Sequence, residues 1–186
     1  MVESILREAM DEAQIPRGRG LTPAGVAPED RAPRIVVIDS GFELPTEEER
    51  LSEADAIVIE VADLSATRLA CAAVCRRARR GQTIVLASPG YLGATHDLLI
   101  RPLIEAGFDV GRDICVACSP PVEPDDSAGA KAPRRVLGAT GPVCAGKARA
   151  VIEAIAPSVQ IVSTPEAAEL TVVLAEALSA LGVDAD

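Results

Sequence analysis

Six short apolar runs stand out along the chain: IVVI (35–38), AIVIEV (56–61), TIVLA (83–87), ICVAC (114–118), RVLGA (135–139) and VQIV (159–162). Most are continuous and rich in β-branched residues rather than alternating with polar ones, which is the pattern of strands buried on both faces. Between them lie Ala- and Arg-rich segments with helical spacing, at 44–54, 65–80, 94–106, 142–156 and 165–181. Strand–helix alternation of this kind predicts an α/β fold, a doubly wound and mostly parallel sheet. The last helix has a clear start, with Thr164 as N-cap, Pro165 at the first helical position and Glu166 in the first turn.

The residues before Arg34 follow another pattern. Val2, Ile5, Leu6, Ala9, Met10 and Ala13 recur at helical spacing with Glu and Arg between them, predicting an amphipathic helix over 2–15. A helix this short is marginal alone, so it docks on its own domain or forms a homodimer contact. The stretch PRGRGLTPAGVAPEDRAP (16–33) is Pro- and Gly-rich and reads as a linker. The expected organisation is therefore an N-terminal helical extension with its linker (1–33) and a single α/β domain (34–186), within which EPDDSAGAKAP (123–133) is a mobile loop.

Composition narrows the partners. The chain has 186 residues, 48% apolar and 25% charged, and a net charge of −10. Aromatics are limited to Phe42, Tyr91 and Phe108, so the core is aliphatic. An acidic chain with few rings offers neither the basic patch nor the stacking platform that nucleic acid needs, and anionic membrane surfaces are disfavoured too. No apolar run approaches a membrane span, and MVESILREAMDEA is acidic where a signal peptide is basic, so the expected compartment is the cytoplasm. The five cysteines then default to free thiols. Cys115 and Cys118 match a CxxC pattern, but on a strand they point to opposite faces, and no further ligands stand nearby; no metal site is expected.

In an open parallel sheet, ligands bind at the carboxyl ends of the strands. Those ends carry Asp39, Ser40 and Gly41, then Glu60 to Asp63, Ser88 and Tyr91, Ser119, Thr140, and Ser163 with Thr164. Glu60 interrupts an apolar strand, either as a buried acid suited to proton transfer or as an edge residue reaching solvent. Tyr91, the single tyrosine, sits on a Gly-flanked loop as a proton donor or as ordinary packing. His96 reads as a helix-start residue and Glu169 as solvated or capping. A nucleotide cofactor would want a glycine loop at a helix N-terminus. RIVVIDSGFELP instead puts Asp39 where the first glycine belongs and Pro45 near the third, so no cofactor is expected. The candidate catalytic residues are Glu60, Tyr91, Asp63 and Asp39; the candidate substrate-binding residues are Ser40, Ser88, Ser119 and Thr140.

Several stretches resemble the NAD-binding region of the UDP-glucose/GDP-mannose dehydrogenase family. They are ADAIVIEV (54–61), VLASPGYLGAT (85–95), GRDICVACSPPVEP (111–124), PRRVLGAT (133–140) and STPEAAELTVVLAEA (163–177). The resemblance implies a Rossmann-like domain from an enzyme that oxidises a nucleotide sugar with NAD. The departures from the family pattern are as specific. GxGxxG is absent, VPTP becomes Val61-Ala62-Asp63-Leu64, the glutamate of SPER falls on Pro121, and the functional lysine and asparagine of the last helix fall on Val172 and Glu176. These imply a truncated, degenerate relative, a pseudoenzyme with respect to oxidation. Three readings follow. The first is non-redox acid–base chemistry (cyclisation, dehydration or isomerisation) on a small-molecule substrate in a biosynthetic pathway. The second is a non-catalytic partner of a pathway protein. The third is residual NAD-dependent dehydrogenase activity.

Overall fold

A computed structural model describes residues 33–43, 48–122, 134–156 and 158–181. The helix expected over 2–15, most of its linker and the loop expected over 123–133 lie outside the described residues. The elements are β1 (Ile35–Ile38), α1 (Glu48–Glu53), β2 (Ala56–Ile59), α2 (Leu64–Arg77) and β3 (Thr83–Leu86). A π-helical turn (His96–Ile100) then runs directly into an α-helical one (Arg101–Glu105), and the two together are called α3. There follow β4 (Cys115–Cys118), β5 (Pro121–Val122), β6 (Arg134–Ala139), α4 (Pro142–Glu153), β7 (Ser158–Val162) and α5 (Pro165–Ala180).

β1, β2, β3 and β4 pair in parallel and in sequence order. All residues of β2, β3 and β4 are buried, as their continuous apolar runs require. On one face Ile38, Ile57, Ile59, Ile84 and Leu86 pack with Leu51, Val74, Leu99 and Leu103 from α1, α2 and α3. On the other, Val58, Val85, Ala87, Ala117 and Leu137 pack with Cys144, Ala148, Val151 and Ile152 of α4. Helices on both faces of a mostly parallel sheet make the fold α/β and Rossmann-like.

The sheet departs from the parallel pattern at β6. Cys118 stands opposite Gly138 and Pro121 opposite Arg135, both antiparallel. β4 and β5 are thus one strand in unbroken register, interrupted at Ser119–Pro120, along one edge of β6. β7 runs parallel to β6 on its other edge. Reversal follows from the connection: no helical pattern lies between 118 and 134, and a parallel neighbour needs a crossover. β6 therefore starts beyond the carboxyl ends of β1–β4 and runs back towards them.

The π-helical turn has a local cause. Pro102 has no N–H to give to the Leu98 carbonyl. Instead the Arg101 N–H donates to the His96 carbonyl, and the Cys75 thiol donates to the Leu98 carbonyl at 3.7 Å.

Candidate functional site

The carboxyl edge of β1–β4 is where the candidate residues were expected, and the structure divides them between its two faces. Glu60 follows β2 on the face that carries α4. Its carboxylate accepts a hydrogen bond from Arg135 Nη2, and Arg135 Nη1 donates to the Ser119 carbonyl oxygen at 3.0 Å. Arg135 belongs to β6, three strands from β2, so the two side chains together bridge about 14 Å of sheet. The floor between them is small: Ala87 and Ala117 point to this face. The Arg135 side chain is 9% exposed and that of Glu60 37%. The guanidinium is buried, with its charge balanced by an acid that still reaches solvent. Glu60 is partly exposed and ion-paired, between the two sequence readings.

Tyr91 and Asp63 belong to the other flank. Tyr91 packs against the core cluster of α1–α3, and its hydroxyl stands 3.4 Å from Asp97 Oδ2. Burial raises its pKa above the ordinary tyrosine value, with repulsion from Asp97 adding to it. Asp63 is the N-cap of α2: its Oδ1 accepts from the Ala66 N–H at 2.8 Å. A Cβ on Gly90 would come within 2.7 Å of Leu64, so the Tyr91 loop presses on the start of α2 beside this cap. Asp39 closes a turn after β1, its Oδ1 accepting from the Gly41 N–H at 2.8 Å, with Ser40 exposed in the same turn. Ser88 is half-buried just past β3. Ser119 is fully buried, and its hydroxyl and that of Thr95 are two buried polar groups without a hydrogen-bond partner.

Thr140 corrects the sequence reading. It was expected at this edge with the others, but the antiparallel course of β6 carries it back along the sheet. Its N–H and hydroxyl both donate to the Val116 carbonyl, in the middle of β4, at 3.1 and 3.2 Å. It shares no edge with Glu60.

Two residues were missed or undervalued. Arg135 was read only as part of a strand; an arginine heading a run read as a buried strand was the available signal, because a buried guanidinium needs an acid. Glu169 is 1% exposed. Its two carboxylate oxygens accept the Gly93 and Thr95 N–H groups at 2.5 and 2.7 Å, so α5 caps the start of the helical segment that follows β3. His96 is exposed and lies in that segment's first turn.

The turn at Asp39 does not fit a dinucleotide held in the glycine-loop manner. The Gly41 N–H is already taken by the Asp39 carboxylate, whose charge would repel a pyrophosphate, and the six-residue α1 follows at Glu48. Among the described residues no group of three His, Cys, Asp or Glu side chains is arranged to hold a metal ion, and Cys115 and Cys118 pack on opposite faces. No helix of the described residues is long and apolar enough to cross a membrane.

No protein-family model matches the chain, and no curated protein matches it. Solved structures do. UDP-glucose dehydrogenase from the archaeon Pyrobaculum islandicum is 27% identical with a TM-score of 0.55, over 74% of this chain and 34% of that one. GDP-mannose dehydrogenase from Pseudomonas aeruginosa is 22% identical with a TM-score of 0.57, over 73% and 34%. NDP-N-acetyl-D-galactosaminuronic acid dehydrogenase from Methanosarcina mazei Go1 is 21% identical with a TM-score of 0.56, over 67% and 30%. The fold is that of a nucleotide-sugar dehydrogenase segment. The resemblance read from the motifs is met again in the backbone, and the chain spans about a third of the length of these dehydrogenases.

Proposed function

We propose that this dehydrogenase-like chain no longer oxidises a nucleotide sugar and instead performs acid–base chemistry on a small polar molecule at the carboxyl edge. The observation that carries this reading is the Glu60–Arg135 pair, which lies across the carboxyl ends of the parallel strands, the edge at which open α/β sheets bind ligands. Glu60 is the proton acceptor: it is partly exposed, and the buried guanidinium fixes one of its oxygens. Tyr91, held protonated by its surroundings, supplies a proton donor on the opposite flank. The two groups stand on opposite faces of the sheet, so a cyclisation, dehydration or isomerisation that used both needs a substrate reaching over the strand ends. Asp39 and Asp63, which cap turns, serve to fix the backbone of the edge.

Thermal unfolding in the presence of NAD+ or UDP-glucose tests the loss of oxidation. A ligand at 100 times its Kd adds about 2.7 kcal/mol, a rise of several degrees. No shift is expected, and a clear shift with NAD+ restores the dehydrogenase reading. Native mass spectrometry after incubation with a metabolite extract tests the site: an adduct retained by the wild type and lost in Glu60→Gln is expected. Equal retention by both refutes the assignment of Glu60.

A second reading has its own support. Leu170, Val173, Leu174 and Leu181 stand exposed at helical spacing along α5 and just past it, Leu181 by 75%. An apolar stripe of this kind marks a protein contact, and favours a role as a non-catalytic partner of another protein. A Leu174→Glu variant that loses a co-purifying protein supports this reading; unchanged co-purification removes the stripe from it.

A further inference from the structure

β7 (Ser158–Val162) is an edge strand: among the described residues it pairs with β6 alone, along its whole length and without a bulge. About half of the N–H and C=O groups of such a strand point away from its neighbour, towards an empty strand position. Edges of this kind are normally guarded by a lysine, a proline or a kink. β7 has none of these. SVQIV is uncharged, and no charged residue occurs from Ala154 to Pro165, in a chain of which 25% is charged. Its composition is that of an interior strand, yet it is not interior. Ser158, Gln160 and Ile161 are exposed, Ile161 by 47%, whereas every residue of β2, β3 and β4 is buried.

We propose that the edge is occupied by a second copy of this chain, its β7 lying antiparallel to this one about a two-fold axis at Gln160, so that two sheets become one. Three observations argue for it. First, the chain carries a net charge of −10, and two copies approach with least repulsion where the surface has no charge, as here. A neutral edge also offers a foreign strand no charged group to select. Second, the strand matches itself. About that axis Val159 meets the partner's Ile161 on the face of α4, where register with Arg135 and Leu137 places both side chains. On the other face Gln160 meets the partner's Gln160, two amides that each donate and accept, and no like charges stand opposite one another. Third, a two-fold contact uses the same edge of both copies and stops at two, whereas β7 on the β1 edge of the next copy would continue into a filament.

Sedimentation equilibrium of the full chain, from about 1 to about 500 μM, tests the proposal; a five-residue strand contact is at the small end of protein interfaces, so the range is wide. The mass should rise from that of one chain to that of two. Gln160→Lys and Gln160→Glu each set like charges face to face across the axis at an exposed position, so each alone should keep the mass of one chain, with the far-UV circular dichroism of the wild type. Their equimolar mixture, in which an ammonium faces a carboxylate, should recover the dimer. Leu174→Glu, on the exposed stripe of α5, should leave the wild-type dimer intact. A wild type that stays at one chain throughout overturns the proposal. A dimer that both Gln160 variants retain places the contact on another surface and overturns it, as does a mixture that stays at one chain. Growth of the wild type beyond two copies assigns the edge to an open assembly and likewise overturns it.

Discussion

The Glu60–Arg135 pair yields the sharpest quantitative test, because it lies between two regimes with different energetics. Exposed ion pairs are worth about 0.2–1 kcal/mol, whereas removing one partner of a buried pair costs about 3–5 kcal/mol. Here one side chain is 9% exposed and the other 37%. Arg135→Met keeps an unbranched aliphatic stem but removes the donor to the Ser119 carbonyl. Losing a charged hydrogen bond and orphaning that carbonyl costs about 2–3 kcal/mol, while Glu60, near solvent, is rehydrated at little cost. Glu60→Gln leaves an amide oxygen to accept from Arg135, but strips the charge that balances a buried cation. About 1–2 kcal/mol is expected, discounted from the fully buried value because water reaches the site.

Urea unfolding of the two single variants and the double variant gives the coupling directly. The double variant should lose less than the sum of the singles by about 1 kcal/mol, with m unchanged so that the values are comparable. In a domain of this size the Arg135→Met loss corresponds to a fall in Tm of about 5–10 °C. A coupling below about 0.5 kcal/mol would mean that the pair behaves as an ordinary surface bridge. The idea of a small-residue floor carrying a buried cation would then be wrong, and with it the observation on which the functional proposal rests.

Other consequences are simpler to read. Gly138→Ala places a Cβ 1.9 Å from the Thr164 carbonyl oxygen, a backbone atom at the start of α5, so a loss of about 3 kcal/mol or failure to fold is expected; Gly141→Ala, which meets open space, should be near neutral in the same urea assay. Glu169→Ala leaves the Gly93 and Thr95 N–H groups without their acceptor and should cost about 2–4 kcal/mol, with Glu169→Gln milder because one oxygen remains. Absorbance titration of the single tyrosine should give a midpoint above 10, moving down in Asp97→Asn; the sign follows from burial and then from Asp97, and stability falls as pH rises from 10 through the folded value. A midpoint at or below 10 refutes the packing assigned to Tyr91. Burial pushes the thiols of Cys71 and Cys115 up to about 12 and that of Cys75 to about 11, so iodoacetamide at pH 8 should modify these cysteines slowly in the native protein and rapidly in urea.

Strand and helix positions were legible because burial on both faces writes itself as an unbroken apolar run. β1, β2, β3 and β4 all fall within one or two residues of their runs. Direction was harder to read. RVLGA looks the same in a parallel or an antiparallel strand, and only the lack of a helical pattern between 118 and 134 distinguished them. That single reversal moved Thr140 away from the candidate site. The carboxylates were placed at the right edge, but local geometry decided their roles: Asp39 and Asp63 precede chain reversals and serve them, as short acids at such positions do. Glu60 found its partner 75 residues away, a contact that exists only once four strands have stacked in order, so no local spacing announced it. Glu169 was readable as a cap, although the helix it caps is not its own.

The order of the strands gives these placements a common cause. β1 to β4 follow one another across the sheet without reversal. Crossovers share one hand, so three successive steps in one direction put α1, α2 and α3 on the same face. A dinucleotide crevice opens where strand order reverses and the chain begins to wind the other way. Among the described residues the parallel strands contain no such point. The opposite face is covered by α4, which joins β6 to β7 and packs with Ala56 and Val58 of β2. At the carboxyl end of that face Arg135 reaches in from β6 to Glu60, and at the amino end a cavity stays open beside Pro33. The ion pair and the cavity thus lie at opposite ends of the same strands, and Arg135→Met, which disturbs the first, should leave amide exchange in β1 beside the second unchanged.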